Sequence, residues 1–300
     1  MLTDVTLEQE RLLALLERGI ADEAVEGEDR ALIERLKPAL LERSSIEKPR
    51  LSGDFVRGAF AELIRASYLT NLDGIAVLEN RAKKAVHIDS LSAGGLLIAL
   101  GLAAAGVGRL LTTDTERVSE HDTSALGYRR DQVGNTRLKA INELLRERPG
   151  DTAVQNFDSL TPAKRRHELR VLIAQNAMPQ RSYRELLKTK TPHIGVFFGT
   201  EWVAVSPRIL SNPCLGCLDR HRADADPAWP MIASQLIGRI DYLEDARSSL
   251  FAAAMVVGEI LRAIDTPNEG ADFVGHRLNV ASGRVEPWSW EAHPSCECAP

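Results

Sequence analysis

Four cysteines, arranged as two close pairs, are the residues in this sequence with the most definite chemistry. Cys214 and Cys217 are separated by two residues, and Cys296 and Cys298 by one residue near the C-terminus. Such pairs let one turn supply two thiolates, and tetrahedral zinc takes four soft ligands at about 2.3 Å. The sequence therefore predicts a closed, structural zinc site that holds the tail. The alternatives are a redox Cys-x-x-Cys motif, four unrelated buried thiols, or His293 in place of one cysteine.

A second group of residues lies where a nucleotide-binding α/β domain would grip phosphate. Such domains use Gly-x-Gly-x-x-Gly between the first strand and helix, so that backbone N–H groups can approach the phosphates. Here the segment 90–95 reads Ser-Leu-Ser-Ala-Gly-Gly, and only the third glycine, Gly95, remains. Ser90 and Ser92 add side chains where phosphate would sit, and Asp89 adds a negative charge. We therefore expect this loop to be disabled, with Gly95 serving helix–strand packing.

Strands alternate with helices from about residue 84 onward. This rhythm is typical of a mostly parallel sheet with right-handed crossovers, as in a Rossmann-like α/β domain. Asp114 ends the second strand, where such domains place a ribose-binding carboxylate; it could instead cap the turn with Thr115. The predicted strands are 85–88, 109–113, 169–174, 193–198 and, after a hairpin turn, 202–205, and the predicted helices are 94–105, 137–148 and 183–187.

The first 70 residues are predicted to be helical. Thr6 and Gln9 have the spacing of a capping box, a second helix is expected over 29–41, and a third buries an apolar set of residues. The strand-like segment 74–78 could complete a small winged-helix module; a helical cap on the next domain is the alternative. The predicted domains are 1–75 and 76–300. The apolar set of the third helix is Phe55, Phe60, Leu63 and Ile64.

The C-terminal part is predicted to contain a long helix and a hairpin. Residues 229–264 read as helical, and 250–261 are apolar on nearly every side, which indicates burial in a core or a subunit interface. Residues 277–280 and 284–286 are expected to form a final hairpin. The pairs Arg129-Arg130 and Arg165-Arg166 are short basic runs, typical of solvated surface.

Composition excludes several classes of function. The chain has 300 residues, 44% of them hydrophobic, and a formal net charge of −5, which argues against general nucleic-acid binding. No apolar run reaches the roughly 20 residues that a membrane helix needs. The N-terminus lacks a basic segment before an apolar one, so no secretory signal is expected and the cytoplasm is the predicted compartment.

Several segments together resemble a known family. They are Gly94-Gly95, 103–110, Asp114, Val118, Val133-Gly134 with Arg137, 213–222, 226–230 and 293–298. These segments resemble the ThiF/MoeB (ubiquitin-activating-enzyme-like) superfamily. The cysteine-containing segments are similar to ThiF-like proteins of clusters that make thiazole- and oxazole-modified peptides. The resemblance covers about residues 76–300 and, more weakly, the N-terminal module.

The resemblance implies adenylation of a carboxyl terminus with Mg-ATP, but this sequence departs from the active pattern. The expected Asn/Arg pair reads Asp-Thr-Ser-Ala at 122–125, Arg137 replaces a lysine, and Asn176 stands near a metal-binding aspartate. An amide is a weaker Mg²⁺ ligand than a carboxylate. With the cysteines assigned to zinc, we predict no catalytic residue and no use of ATP or Mg²⁺. The predicted degenerate nucleotide site comprises Ser90, Ser92, Gly95, Asp114, Arg137 and Asn176.

The resemblance therefore implies a scaffold. Relatives hold a precursor's leader peptide through the winged-helix module and deliver it to a YcaO-type cyclodehydratase, and they usually form homodimers. The leader would add a strand to an exposed sheet edge, and 74–78 is the candidate edge; a simple connection between domains is the alternative there. An active adenylyltransferase is the second hypothesis. An NAD-type oxidoreductase is the third, disfavoured because two glycines and any acid/base constellation are missing.

Overall fold

A computed structural model gives the fold of residues 6–18, 25, 27–37, 40, 51–267 and 274–298. In this part of the chain, eight strands form one sheet in the order β3-β2-β1-β4-β5-β6-β7-β8. The strands are β1 Ala85–Ile88, β2 Arg109–Thr112, β3 Ala153–Asn156, β4 Leu169–Gln175, β5 His193–Phe198, β6 Trp202–Val205, β7 Gly275–Asn279 and β8 Val285–Trp288.

The helices lie before, between and after these strands. No helix of the described residues is long and apolar enough to cross a bilayer. The helices are α1 Leu7–Arg18, α2 Glu28–Leu36, α3 Gly53–Gly58, α4 Phe60–Thr70, α5 Gly74–Ala82, α6 Ala93–Ala104, α7 Arg137–Arg146, α8 Gln180–Lys188, α9 Leu215–Ala225, α10 Trp229–Leu236 and α11 Ala246–Asp265.

The first five strands of the sheet are parallel, as predicted. Val86 in β1 lies between Leu110 of β2 and Leu169 of β4 in the register of the sheet. Every residue of β1 and β5 is buried, which explains their near-continuous apolar sequences. Strand β3 was not predicted, because Ala153 is exposed and the strand has only four residues, which leaves little apolar periodicity in the sequence.

The remaining strands are antiparallel. A turn at Gly199 joins β5 to β6, with Gly199 N–H donating to the carbonyl of Trp202 at 2.9 Å. The predicted C-terminal hairpin is confirmed as β7 and β8, and Gly283 at its turn has φ 73°, which favours glycine. This antiparallel extension brings the cysteine-containing tail next to the sheet.

Helices cover both faces of the sheet and define two apolar clusters. On one face, α6 and α11 pack closely: a Cβ at Gly101 would lie 2.9 Å from Val257. On the other face, α8 and α9 pack on β4, β5 and β6 through residues that include Tyr183 and Leu218. The fold is therefore a layered α/β structure with helices on each side of one sheet.

The predicted continuous helix over 229–264 is interrupted. Residues 237–245 are not helical, Gly238 has φ 79°, and Asp245 caps α11 by accepting hydrogen bonds from Arg247 N–H and Ser248 N–H at 3.0 and 3.3 Å. A left-handed glycine and an N-cap aspartate together stop one helix and start the next. The linker between α10 and α11 runs over the sheet's carboxyl edge.

The segment 74–78 is helical, so the predicted edge strand is wrong. Asp73 caps α5 by accepting from Ile75 N–H at 2.9 Å, and a Cβ at Gly74 would lie 2.4 Å from the carbonyl of Leu63 in α4. A cap and close helix packing override the strand-like composition. No residue described before position 85 is in a strand, which leaves no sheet edge for a peptide in that part.

Other N-terminal predictions have mixed outcomes. The capping box is present: Gln9 N–H donates to Thr6 Oγ1 at 3.3 Å, and Thr6 N–H donates to Gln9 Oε1 at 3.1 Å. Phe55 is buried, but Phe60 and Ile64 are exposed, which corrects their predicted burial. The end of the predicted helix 29–41 lies outside the described residues, apart from Leu40. The boundary at residue 75 falls within α5, and the division into domains stays a prediction.

A buried arginine joins the N-terminal helices to the α/β layers. The Arg81 guanidinium contacts Asp265 at 2.6 Å, Glu62 at 3.1 Å and the carbonyl of Ala105 at 3.0 Å. Only 2% of its side chain is exposed. Burial opposes this charge, but its two carboxylate partners hold the pKa of Arg81 above its ordinary value. These contacts tie α4, α5, α6 and α11 together.

Candidate functional site

The residues of the predicted nucleotide site converge on the carboxyl edge of the parallel strands. Ser90 and Ser92 lie between β1 and α6, Asp114 follows β2, Asn176 follows β4, and Arg137 begins α7. We call this group, together with the linker residues described below, the nucleotide edge. In open α/β sheets this edge is where ligands bind.

One carboxylate of the protein occupies the N-terminus of α6, and a second binds the loop just before it. Gly94 N–H donates to Glu244 Oε2 at 2.7 Å, and Leu91 N–H donates to Asp114 Oδ2 at 2.6 Å. Ser92 N–H lies 3.3 Å from Ser90 Oγ. A helix N-terminus attracts anions through its free N–H groups and its dipole. Here the hydrogen-bond acceptors are carboxylates of the chain itself.

Of the loop residues Ser92 and Gly95, only Gly95 has a clear packing role. Ser92 is the N-cap of α6, yet its hydroxyl makes no capping bond, is buried and has no hydrogen-bond partner among the described residues. A Cβ at Gly95 would lie 1.9 Å from the carbonyl oxygen of Ser90. Only glycine permits this approach of helix to loop, in agreement with the packing role predicted for Gly95.

Arg137 is held between two aspartates. Its guanidinium lies 2.8 Å from Asp122 Oδ1 and 3.4 Å from Asp114 Oδ2. Burial opposes its charge, but these carboxylates keep the pKa of Arg137 above its ordinary value. The Tyr128 hydroxyl also contacts the loop before α6, where it donates to the carbonyl of Leu91 at 2.9 Å. The cation at the expected lysine position is thus already paired.

Asn176 contacts the linker between α10 and α11. Its Nδ2 donates to Asp241 Oδ2 at 2.8 Å, and Asp241 N–H donates to Gln175 Oε1 at 2.7 Å. Gln175 Nε2 reaches Glu244 Oε1 at 3.3 Å. Asp241 and Glu244 were not predicted as site residues, because residues 229–264 were expected to be helical. Gly238 was the signal in the sequence that could have revealed a loop there.

Asp89 carries less charge than the sequence analysis expected. Its Oδ1 accepts a hydrogen bond from Ile173 N–H at 3.0 Å. Burial nevertheless dominates and raises the pKa of Asp89 to about 7. The side chains that accept N–H groups next to α6 are instead those of Glu244 and Asp114. As arranged, the nucleotide edge does not fit a triphosphate. The carboxylates of Glu244 and Asp114 take the N–H groups that a phosphate would need, and Arg137 is already paired with Asp114 and Asp122.

The four cysteines come together, as predicted. The Sγ atoms of Cys214 and Cys217 are 3.9 Å apart, those of Cys214 and Cys296 3.6 Å, and those of Cys217 and Cys298 3.2 Å. Tetrahedral zinc with Zn–S bonds of about 2.3 Å requires S–S separations of about 3.8 Å. The cluster could therefore bind a metal ion such as zinc. The residues present fit that ion in number, type and spacing.

The tail is also held by contacts beside the cysteines. Trp290 Nε1 donates to the carbonyl of Cys214 at 2.8 Å. His293 does not replace a cysteine: its Nε2 lies 2.8 Å from Asp224 Oδ2, and its Nδ1 accepts from Ser295 N–H at 3.1 Å. The Ser295 bond leaves the ring proton on Nε2, where it donates to Asp224. That tautomer is unsuited to Nε2 metal ligation, although His221 lies nearby.

Solved structures with the same fold include PaaA, with 18% sequence identity over 97% of this chain and 91% of PaaA and a TM-score of 0.68. Another is E. coli MccB with AMPCPP and MccA, with 14% identity over 96% and 84% of the two chains and a TM-score of 0.65. The chain has the fold of PaaA and MccB. This agrees with the fold that the ThiF/MoeB resemblance implied.

The MccB structures show which ligands that protein has been crystallised with. One of these structures contains ATP. Another is the microcin C7 biosynthetic enzyme MccB in complex with N-formylated MccA. Its TM-score is 0.65, with 15% identity over 96% of this chain and 86% of MccB. No family model and no curated protein sequence matches this chain. At these identities, the likeness to PaaA and MccB establishes the fold alone.

Proposed function

We propose that this chain is a non-catalytic partner protein in azole-modified peptide biosynthesis, which binds a precursor leader peptide and presents it to a YcaO-type cyclodehydratase. The observation that carries the proposal is the occupied N-terminus of α6. Glu244 and Asp114 take the Gly94 and Leu91 N–H groups at 2.7 and 2.6 Å, the kind of donor a nucleotide phosphate needs. A chain whose own carboxylates fill the phosphate position is suited to binding a peptide rather than to using ATP in a reaction.

Peptide binding is supported by the fold and by MccB. MccB has been solved with MccA and with N-formylated MccA. We infer that this chain also takes a peptide, with its N-terminal helices as the leader-recognition module. Because the segment 74–78 is a helix, strand addition there is not part of the proposal.

A structural zinc ion completes the proposal. The ion would be held by Cys214, Cys217, Cys296 and Cys298, whose sulfur atoms lie 3.2 to 3.9 Å apart across the pairs given above. Four thiolates leave zinc no open position, so its contribution is to fold the tail against α9.

We also infer a homodimer formed through the outer face of α6 and α11. An apolar depression of about 630 Å³ opens there. Leu250 is 49% exposed, and Leu97, Leu100 and Val257 are partly exposed beside Ala254. An exposed apolar face of two packed helices is typical of a subunit interface. It includes part of the apolar segment 250–261 for which the sequence predicted a core or an interface.

An adenylyltransferase that activates a carboxylate is the second candidate. MccB has been solved with ATP and with AMPCPP. In this chain, Asp241 lies 2.8 Å from the Asn176 amide and would supply the carboxylate that the amide lacks as a Mg²⁺ ligand. This reaction requires Glu244 to leave Gly94, so the two candidates differ in whether the linker can move away.

The test compares Mg-ATP binding, and pyrophosphate exchange with the precursor peptide present as carboxylate acceptor, in three proteins: the wild type, Glu244→Ala, and the control Glu10→Ala at an exposed position of α1. If the site binds ATP, ATP at one hundred times its Kd would stabilise the folded protein by about 2.7 kcal/mol. The absence of a shift in Tm would therefore indicate that ATP does not bind. We expect no shift and no exchange for any of the three, because Asp114 still holds Leu91 and pairs with Arg137. ATP binding or exchange by the wild type would refute the scaffold proposal. Exchange by Glu244→Ala alone would favour the second candidate.

The peptide part of the proposal has a separate test. We expect the gene's neighbours to encode a YcaO-type enzyme and a short peptide rich in Cys, Ser and Thr after its leader. The synthetic leader should bind the chain, and the chain should co-purify with the YcaO enzyme. A leader that binds the YcaO enzyme alone, with unchanged affinity when this chain is added, would contradict a presenting role.

A further inference from the structure

A basic pocket lies at the opposite edge of the sheet from the nucleotide edge. We define it by Lys83, Arg109, Arg165, Arg166 and His167, which line a cavity of about 670 Å³. The one acidic residue in this lining is Glu168, which pairs with Lys84. Lys83 precedes β1, Arg109 begins β2, and the other three precede β4, so the sheet's topology gathers them at the amino ends of adjacent parallel strands. The sequence alone had predicted Arg165-Arg166 to be ordinary solvated surface.

The four cations of the basic pocket have no acidic partners within the described part of the chain. The ion pair nearest to them in sequence joins Lys84 to Glu168 at 3.4 Å and uses neither Lys83 nor the three arginines. Unpaired cations at one site are notable in a chain with a net charge of −5. Their field is therefore available to an anionic ligand.

Backbone carbonyls hold two of the arginines in place. Arg109 Nη2 donates to the carbonyls of Lys164 and Arg166 at 3.0 and 3.2 Å, and Arg165 Nη2 donates to the carbonyl of Asp158 at 2.7 Å. The carbonyls orient the guanidinium groups without neutralising them. Pre-oriented guanidinium groups suit carboxylates, which they can bind through two parallel hydrogen bonds.

His167 lines the same cavity, but its ring is held inside the protein. Its Nδ1 lies 2.7 Å from the carbonyl oxygen of Arg165 and must therefore carry the ring proton. The ring packs edge-on against His87, with the ring centroids 5.3 Å apart, and its Nε2 is buried. The contacts for an anionic ligand therefore come from the four cations of the basic pocket.

We propose that the basic pocket binds an acidic segment of a peptide, with its carboxylates on Lys83, Arg109 and Arg166. The inference rests on the proposed function in treating the ligand as a peptide, and it adds the chemistry of that peptide. It places the contact next to α5, where the N-terminal helices meet the sheet.

The test measures binding of fluorescein-labelled hexaglutamate by anisotropy at 20 and 200 mM NaCl. The variant Lys83→Glu/Arg166→Glu is compared with Arg130→Glu/Arg181→Glu; all four side chains are exposed, so both variants should fold and both change the net charge equally. We expect hexaglutamate to bind the wild type and hexaglutamine not to. The pocket variant should bind about tenfold more weakly, because two exposed charges that attract the ligand are reversed in sign, and the control should change less than twofold.

Three outcomes would overturn the inference. The first is no hexaglutamate binding by the wild type at low salt. The second is equal weakening in both variants, which would show a net-charge effect and not a site. The third is tighter binding of tripolyphosphate than of hexaglutamate, weakened in the pocket variant, which would assign the pocket to phosphate. None of these alters the ATP and leader-peptide tests above, so this inference and the proposed function can fail separately.

Discussion

At the scale of single residues, burial and position decide which acids carry charge beside α6. Glu244 accepts the Gly94 N–H at the helix N-terminus, a position that favours a carboxylate, and Asp114 accepts the Leu91 N–H in the loop just before it. Asp89 lies a few residues away in the sequence, yet burial raises its pKa to about 7. Acidic residues near one loop thus have different roles, and only the structure separates them.

The raised pKa of Asp89 predicts a specific dependence of stability on pH. The folded protein keeps the Asp89 proton up to about pH 7, whereas the unfolded chain releases it near pH 4. The stabilisation is complete below about pH 4 and is lost as the pH rises through about 7. The free energy of unfolding of Asp89→Asn relative to the wild type should therefore increase between pH 5 and 7, by up to about 1.4 kcal/mol per pH unit.

Urea unfolding followed by tryptophan fluorescence at pH 5, 6, 7 and 8 measures this difference. The same change at exposed Asp151 is the control, and its difference from the wild type should stay nearly constant. A difference for Asp89→Asn that does not change with pH would contradict burial of an ionisable carboxyl group.

The cysteine cluster predicts that zinc content depends on each thiolate. Cys214→Ser should reduce zinc from about one ion per chain to nearly none, because four soft ligands are needed to close the site. The tail around β8 should then become sensitive to proteases, since structural zinc binding contributes directly to folding. His293→Ala, which removes the contact to Asp224 but no thiolate, should retain zinc. Metal analysis of the two purified variants decides this, and zinc loss in His293→Ala would refute the four-cysteine ligand set.

At the scale of elements, the contacts of Arg81 determine how the N-terminal helices attach to the α/β layers. Arg81 reaches α11 through Asp265, α4 through Glu62 and the end of α6 through the Ala105 carbonyl. Its partner Asp265 is itself only 8% exposed. Removing the guanidinium would leave this carboxylate buried without its cation.

Arg81→Ala should therefore lower the free energy of unfolding by about 3–5 kcal/mol. The control is Arg57→Ala in α3, where Arg57 and its partner Asp54 are 76% and 80% exposed and the destabilisation should stay below about 1 kcal/mol. Urea denaturation of the two variants and the wild type provides the comparison. Equal effects would show that the Arg81 contacts do not join the two parts of the structure.

At the scale of the whole molecule, the outer face of α6 and α11 predicts the oligomeric state. The wild type should have about twice the chain mass of 33.0 kDa in light scattering after size exclusion. Leu250→Glu/Ala254→Glu should yield the single-chain mass, because two charges would be buried in the interface. The control Leu126→Glu, at a residue that is 43% exposed elsewhere, should remain dimeric. A monomeric wild type, or a dimeric double variant, would contradict this interface.

Much of the fold was predictable because its signals are local. The apolar runs of β1, β4 and β5 identify strands buried on both faces, and alternation with helices indicates a parallel sheet. The local pattern failed at 74–78, where a short apolar run fits either a strand or a helix. There the Asp73 cap and the close contact of Gly74 with α4 decided for a helix.

The sequence by itself predicted that the four cysteines lie together and showed the substitutions in the loop 90–95, since spacing and residue type are properties of the chain alone. Only the tertiary structure decided what occupies the N-terminus of α6, because Gly94 and Glu244 are 150 residues apart in the chain. It also decided that the cations of the basic pocket lie together, because adjacent parallel strands bring their amino ends to one edge whatever their separation in sequence. Contacts of this kind depend on the path of the whole backbone, which no local pattern encodes.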